Sequence, residues 1–102
     1  MAKYVVIYQD MREDAVTPDM AESLVKSHVE YLKDLYSRKI LFMCGILKDN
    51  DDKGLLIFDV NSKEEAESYV LKDPFIVRKC YSSYSISEWV VANESNNWLL
   101  NR

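Results

Sequence analysis

Apolar positions repeat with the period of a helix across residues 17–35, which is the most regular pattern in the chain. Six side chains fall on one stripe of this predicted helix: Met20, Leu24, His28, Tyr31, Leu32 and Leu35. Thr17-Pro18 marks its start, because threonine caps helices and proline suits the first helical position. The stripe places His28, the only histidine of the chain, on the apolar side of the helix.

Four shorter segments are rich in β-branched and aromatic residues and predict strands. They cover residues 4–8, 40–47, 54–60 and 80–91, and the acidic run 49–52 forms a hairpin turn between the second and third. Ser62-Lys63-Glu64-Glu65 is a capping box that opens a second helix with Ala66, Tyr69 and Val70 on its buried face. Pro74 should end this helix near Asp73.

The predicted order is β-α-β-β-α-β, the ferredoxin-like arrangement of an α+β domain. Its antiparallel sheet carries both helices on one face, so the other face needs a cover of its own. The second strand is apolar on both sides, with Ile40, Phe42, Cys44 and Ile46 opposite Leu41, Met43, Gly45 and Leu47. Because such a face is unusual on a monomer, we expect a homodimer in which two sheets pack face to face.

The length, composition and net charge of the chain indicate one acidic globular domain. The chain has 102 residues, 48% of them hydrophobic, and a net charge of −4, which argues against a nucleic-acid partner. No segment is long and apolar enough to span a membrane, and no signal peptide is recognised, so we expect a cytoplasmic protein without a membrane partner. We assign residues 1–92 to the domain and residues 93–102 to a tail that packs on its own subunit or on the partner.

The two cysteines and the single histidine limit metal chemistry. Cys44 and Cys80 lie 36 positions apart without a metal-binding spacing, and we expect both to be buried small apolar groups. One histidine excludes a multi-histidine metal site within one subunit.

His28 and Asp73 are the candidate catalytic residues. Histidine suits acid/base work near neutral pH. Asp73 falls at the predicted end of the second helix, where the helix dipole disfavours a negative charge unless a cation or an N–H donor lies nearby. Because both helices pack side by side, we expect His28 and Asp73 to form a pair in which the carboxylate orients the imidazole.

Simpler interpretations of the same residues stay open. His28 also fits a core histidine with a satisfied hydrogen bond, and aspartate before proline commonly forms a turn. Tyr8, Tyr31 and Tyr84 are further candidates to line a pocket with their hydroxyl groups.

Three short motifs resemble the YciI-like (YCII-related) family. They are residues 28–35 (HVEYLKDL), Glu64-Glu65-Ala66 and the turn Asp73-Pro74-Phe75, and the similarity extends over residues 4–91. The resemblance implies a dimeric α+β barrel of ferredoxin-like subunits with a His–Asp site, which maps onto His28 and Asp73.

The resemblance also implies a function. One characterised branch of the family is similar to a dehydrochlorinase that eliminates chloride from a substituted muconate-type compound, and related barrels include muconolactone isomerases. These are proton transfers on small, often anionic molecules, and they need neither a metal nor an organic cofactor. The expected function is a cofactor-free lyase or isomerase. The alternative is a non-catalytic small-molecule binding or regulatory module.

The chain departs from the family pattern at several glycine positions. The family usually has glycine where Lys39 stands, Gly-Pro in place of Gly45-Ile46 and a double glycine in place of Lys53-Gly54, and it often has glycine near Lys79. These differences alter turns around the expected pocket.

Overall fold

The computed structural model describes residues 1–100, apart from the side chain of Glu13, and it confirms the α+β order. The elements are β1 (Ala2–Met11), α1 (Pro18–Ser37), β2 (Leu41–Leu47), β3 (Lys53–Val60), α2 (Lys63–Val70), α3 (Pro74–Val77) and β4 (Tyr81–Trp89). The strands form one antiparallel sheet in the order β2-β3-β1-β4. Within the described residues, no helix is long and apolar enough to cross a membrane. The cytoplasmic location stays a prediction.

Helix α1 follows the predicted stripe closely. Leu35 is fully buried, four stripe residues are half-buried, and only Met20 at the first turn is largely exposed. Thr17 is the N-cap residue as predicted, but its side chain makes no capping hydrogen bond. Its carbonyl oxygen instead accepts from the amide of Met20 at 3.0 Å.

The core lies between the two longer helices and one face of the sheet. Cross-strand pairs such as Tyr4 with Phe58 and Val6 with Leu56 place alternate residues of β1 and β3 on that face. The buried cluster consists of Tyr4, Val6, Tyr8, Leu35, Leu41, Leu56, Phe58, Val60, Ala66, Val70, Tyr81 and Ile86. Both α1 and α2 contribute to this one cluster, so burial of apolar area holds the two helices on the same side.

Strand β2 contains a bulge that the alternation of its sequence does not reveal. Leu41 pairs with Phe58 and Met43 with Ile57, and the register shifts between these two pairs. The extra residue turns Leu41 into the core and Met43 to the opposite face, so their predicted placement on one face was wrong. The predicted burial of Cys44 was also wrong, because this outer strand lines a cavity at that point.

Helix α2 begins with half of the predicted capping box. The hydroxyl of Ser62 accepts from the amide of Glu65 at 3.1 Å, as expected. The carboxylate of Glu65 accepts from the amide of Asn61 at 2.9 Å, one residue before the cap. The reciprocal bond is therefore shifted by one position, but it still satisfies an exposed amide at the helix start.

The end of α2 differs from the prediction in a way that matters for the site. The helix ends at Val70, and the short helix α3 begins at Pro74, with Asp73 as its N-cap residue. The prediction that Asp73 lies at the C-terminus of a helix was wrong. Proline at the first helical position starts a helix as readily as it ends one, and here it does the former.

The C-terminal segment forms a 3-10 turn over Glu94–Leu99, capped by Asn93 and Asn96. Trp98 and Leu100 are 67% and 77% exposed. The expected packing of the 93–102 tail stays a prediction, and its positions 101–102 lie outside the described residues.

Two lysines occupy left-handed backbone positions directly after helices. Lys39 follows α1 with φ 63° and Lys79 follows α3 with φ 59°. At the first of these, the amide of Ile40 donates to the carbonyl oxygen of Leu35 at 2.9 Å, which is the bond of a Schellman motif. Glycine favours this conformation because a Cβ atom strains it. The chain therefore carries backbone strain at Lys39 and Lys79.

We predict that Lys39→Gly stabilises the protein. Removing the Cβ atom relieves the left-handed strain, and the free energy of unfolding should rise by about 0.5–1 kcal/mol. Chemical denaturation of wild type and variant measures the change. Lys39→Ala is the matched control, since it removes the same charged side chain but keeps the Cβ atom. An equal gain in both variants would contradict the backbone explanation.

Candidate active site

A fully buried carboxylate, that of Asp73, joins three elements of the fold. The hydroxyl of Tyr8 on β1 donates to Oδ2 at 2.8 Å, and Nδ1 of His28 on α1 lies 2.7 Å from Oδ1. The amide of Phe75 in α3 also donates to Oδ1, at 3.0 Å. Burying an ionised carboxylate without hydrogen-bond partners would cost on the order of several kcal/mol. Three donors from three elements offset that cost.

The local sequence fixes Asp73 in its place. Pro74 occupies the first helical position of α3, so Asp73 adopts extended backbone angles and its side chain turns back to cap the helix. A carboxylate at this end of a helix is stabilised by the free amides. The helix dipole therefore stabilises Asp73, contrary to the expectation from the sequence, and the expected His28–Asp73 contact is present.

The imidazole of His28 is held by a second contact besides the carboxylate. Its ring stacks on Phe75 with a centroid distance of 3.8 Å and an interplanar angle of 10°. Because a carboxylate only accepts, the network assigns the proton of the neutral ring to Nδ1. That tautomer leaves a lone pair on Nε2.

The other ring nitrogen, Nε2, is available to a ligand. Within residues 1–100, Nε2 has no hydrogen-bond partner, and the one buried side-chain nitrogen or oxygen without a partner is Asp59 Oδ1. Nε2 is therefore not enclosed by protein. The His28 side chain, 14% exposed, forms part of a cavity wall.

The cavity beside His28 has a volume of about 440 Å³ and is lined by residues of α1, α3 and all four strands. Its walls are mostly apolar: Tyr8, Met11, Val25, His28, Val29, Leu32, Cys44, Gly45, Ile46, Gly54, Leu55, Leu56, Phe75 and Tyr81. This volume falls within the range of small-molecule sites. Among the described residues, no group of three or more His, Cys, Asp or Glu side chains converges as metal ligands do.

Tyr8 is the third member of the site. Burial and the neighbouring Asp73 carboxylate raise its pKa well above the ordinary value near 10, so the phenol stays protonated and remains a hydrogen-bond donor. The sequence offered Tyr8 only as one of several pocket candidates. Its position on the buried face of β1, in line with Val6 and Tyr4, is a signal that could have distinguished it from the other two.

The hydroxyl groups of the other two candidate tyrosines form hydrogen bonds outside the site. The hydroxyl of Tyr31 donates to the carbonyl oxygen of Tyr69 at 2.7 Å, and burial together with Asp73 raises its pKa to about 12. The hydroxyl of Tyr84 donates to the carboxylate of Glu67, also at 2.7 Å. Neither residue lines the cavity at His28.

Comparison with solved structures finds a similar fold. One example is 5-chloro-2-hydroxyhydroquinone dehydrochlorinase of Burkholderia phenoliruptrix AC1100, solved in complex with 2,5-dihydroxybenzoquinone. The TM-score is 0.64 and the sequence identity 19%, over 85% of this chain and 93% of that one. At this identity the likeness establishes the fold alone.

Comparison of sequences identifies the family. No curated protein is significantly similar to the chain. The model of the YCII-related domain matches residues 2–90, which include every element from β1 to β4. The resemblance carried by the three short motifs is therefore confirmed, and the chain belongs to the YCII-related domain family.

Proposed function

We propose that the protein is a cofactor-free lyase or isomerase in which His28 transfers a proton on a small molecule held in the cavity. One observation carries the proposal. The 2.7 Å bond between His28 Nδ1 and Asp73 Oδ1 fixes the ring, while Nε2 stays free beside an apolar cavity of about 440 Å³. A positioned imidazole without its own partner on one nitrogen is suited to act as a general base.

The proposed step uses Nε2 of His28 and leaves the other residues in supporting roles. Nε2 takes a proton from a C–H or O–H group of the substrate, and the electron pair of that bond forms a new double bond. In a lyase the pair expels a leaving group, and in an isomerase the proton returns at another atom. Asp73 stabilises the imidazolium formed, and Tyr8 holds Asp73. Asp73 and Tyr8 are positioning residues.

The structural neighbour supports this class of reaction. That enzyme is a dehydrochlorinase, and loss of hydrogen chloride from an organic molecule requires removal of a proton. Its named substrate is a chlorinated hydroxyhydroquinone rather than the muconate-type compound associated with the family resemblance. The two share the proton-transfer step proposed for His28.

We predict that His28→Asn and Asp73→Asn lower proton abstraction from 5-nitrobenzisoxazole, a neutral probe whose ring opens when a base removes its one acidic C–H proton. Wild type should accelerate the opening, measured by absorbance of the phenolate product. Each variant should lose about 10²-fold or more of that acceleration, the usual contribution of a general base. Asparagine still caps α3 at position 73 and can still donate to Asp73 from position 28, so both variants should fold.

Tyr84→Phe is the control, because it removes a phenol that contacts Glu67 and not Asp73. Circular dichroism checks that each variant keeps the wild-type fold. If His28→Asn reacts as fast as wild type, the catalytic proposal fails, and the alternative of a non-catalytic binding module takes its place.

The sheet face opposite the helices supports the proposal of a homodimer. Phe42, Met43 and Trp89 lie on this face and are between 42% and 56% exposed. Asp59 lies there as well, and within the described residues its Oδ1 atom is buried without a hydrogen-bond donor. A second sheet packed on this face would bury the apolar side chains and bring a donor within reach of Asp59.

The C-terminal tail fits the same proposal. Its hydrogen bonds in the described residues stay within the segment, except that Asn96 Nδ2 donates to the carbonyl oxygen of Val91, just before it, at 2.7 Å. Trp98 and Leu100 are left exposed. We propose that they pack on the partner subunit.

We predict that wild type sediments as a dimer at micromolar concentration and that Met43→Lys weakens the dimer by at least about tenfold. A lysine on this apolar sheet face would have to be desolvated without a partner when a second sheet packs on it. Leu71→Lys is the matched control, because Leu71 is 53% exposed but lies after α2, away from this face. A monomeric wild type, or a Met43→Lys dimer of unchanged strength, would contradict the proposal.

A further inference from the structure

The wall of the cavity at His28 carries no formal charge. Within the described residues, none of its fourteen lining residues is lysine, arginine, aspartate or glutamate, although the chain has 13 basic and 17 acidic residues. Partial burial also raises the pKa of the Cys44 thiol, which keeps that wall residue neutral. A charged ligand would therefore lose its hydration without gaining an ion pair.

The polar atoms of the wall are almost all engaged. The hydroxyl of Tyr8 donates to Asp73, and that of Tyr81 donates to the carbonyl oxygen of Asp52 at 3.2 Å. Among the side-chain nitrogens and oxygens of the wall, these bonds leave Nε2 of His28 as the one without a protein partner. The side chains of the cavity thus offer one directed hydrogen bond and otherwise apolar contact.

The charge nearest to the working ring is negative. Asp73 lies directly behind His28, so an anionic ligand at Nε2 would be repelled. A cationic ligand gains little in return, because both oxygens of Asp73 are already bonded and the residue is fully buried. Electrostatics therefore disfavours an anion and provides no open partner for a cation.

The surface next to this cavity is also more acidic than basic. A second cavity of about 590 Å³ shares Met11 with the first and is lined by one basic residue, Arg12, and three acidic residues, Asp14, Asp51 and Asp52. Arg12 is paired with Asp14 at 3.5 Å. The residues around this second cavity would not attract an anion.

The aromatic residues of the cavity wall favour ring compounds. Phe75 and Tyr81 line it as aromatic rings, and the His28 ring stacks parallel to Phe75. Gly45 and Gly54 contribute no side chain, and a Cβ atom added at Gly45 would meet nothing within 4 Å. Aromatic walls with this open space suit a ring compound.

We propose that the cavity binds an uncharged, apolar ring compound that presents a single acidic C–H or O–H group to Nε2 of His28. This inference rests on the proposed function and narrows its substrate class. The proposed ligand class differs from the small, often anionic molecules that the family resemblance implies. The ligand is selected by apolar contact, and its one polar group is oriented by His28.

The experiment compares two probes with the same ring skeleton, neutral N-phenyl-1-naphthylamine and anionic 8-anilino-1-naphthalenesulfonate. Binding to the full-length wild-type chain is measured by fluorescence. The NMR signals of His28, the only imidazole, report whether a probe enters this cavity. We expect the neutral probe to shift these signals and to bind at least about tenfold more tightly, since burial of an unpaired anion is costly.

Ile46→Lys tests the electrostatic cause. Ile46 lines the cavity and is 69% exposed, so a lysine there adds a cation without disturbing the core. The anionic probe should gain about two- to fivefold in affinity, while the neutral probe should change little. Leu71→Lys adds the same charge away from the cavity and should leave both affinities unchanged.

Failure of this inference is distinguishable from failure of the proposed function. It is overturned if the anionic probe binds as tightly as the neutral one, or if neither probe shifts the His28 signals. Loss of 5-nitrobenzisoxazole opening in His28→Asn would stand in either case. Conversely, a clear preference for the neutral probe without any catalysis would keep the ligand class and reject the enzyme.

Discussion

The buried carboxylate of Asp73 is the interaction on which the site depends. It draws donors from β1, α1 and α3, so it fixes the position of Tyr8, His28 and Phe75 relative to one another. A charge at zero exposure persists only when its hydrogen bonds are made. The arrangement of the fold around Asp73 therefore also sets the geometry of the imidazole that we propose as the catalytic base.

The same carboxylate shapes what the cavity can bind. Its negative charge lies behind His28 and is hydrogen-bonded to protein donors. The cavity is therefore lined by an imidazole whose Nε2 has no protein partner and by apolar side chains. A general base that works in such surroundings needs a substrate with an acidic hydrogen but without a charge of its own. The proposed reaction and the proposed ligand class thus follow from one structural feature.

Most of the fold could be predicted because its long elements have clear periods. The stripe on α1 and the β-branched and aromatic runs of the strands predict the order of elements, and that order leads us to expect His28 and Asp73 close together. Helix α3 cannot be predicted from periodicity, because a four-residue helix is too short to show a period. Pro74 is also compatible with the end of α2. The favourable helix N-terminus at Asp73 was missed for this reason.

Other features depend on contacts that a single sequence does not contain. The bulge at Phe42 shifts the faces of β2 without any change in its apolar run. Tyr8 could be placed on the buried face, but its bond to Asp73 requires three elements to meet in space. The left-handed Lys39 and Lys79 were visible as departures from a family pattern, whereas their strained backbone became clear only from φ.

The most direct measurement is the protonation of the single imidazole by ¹⁵N NMR, at a pH where the ring is neutral. Nδ1 should carry the proton, because it donates to Asp73, and Nε2 should be unprotonated and free to accept one. A neutral ring protonated at Nε2 would contradict the account, since the nitrogen without a protein partner would then have no lone pair for a substrate proton.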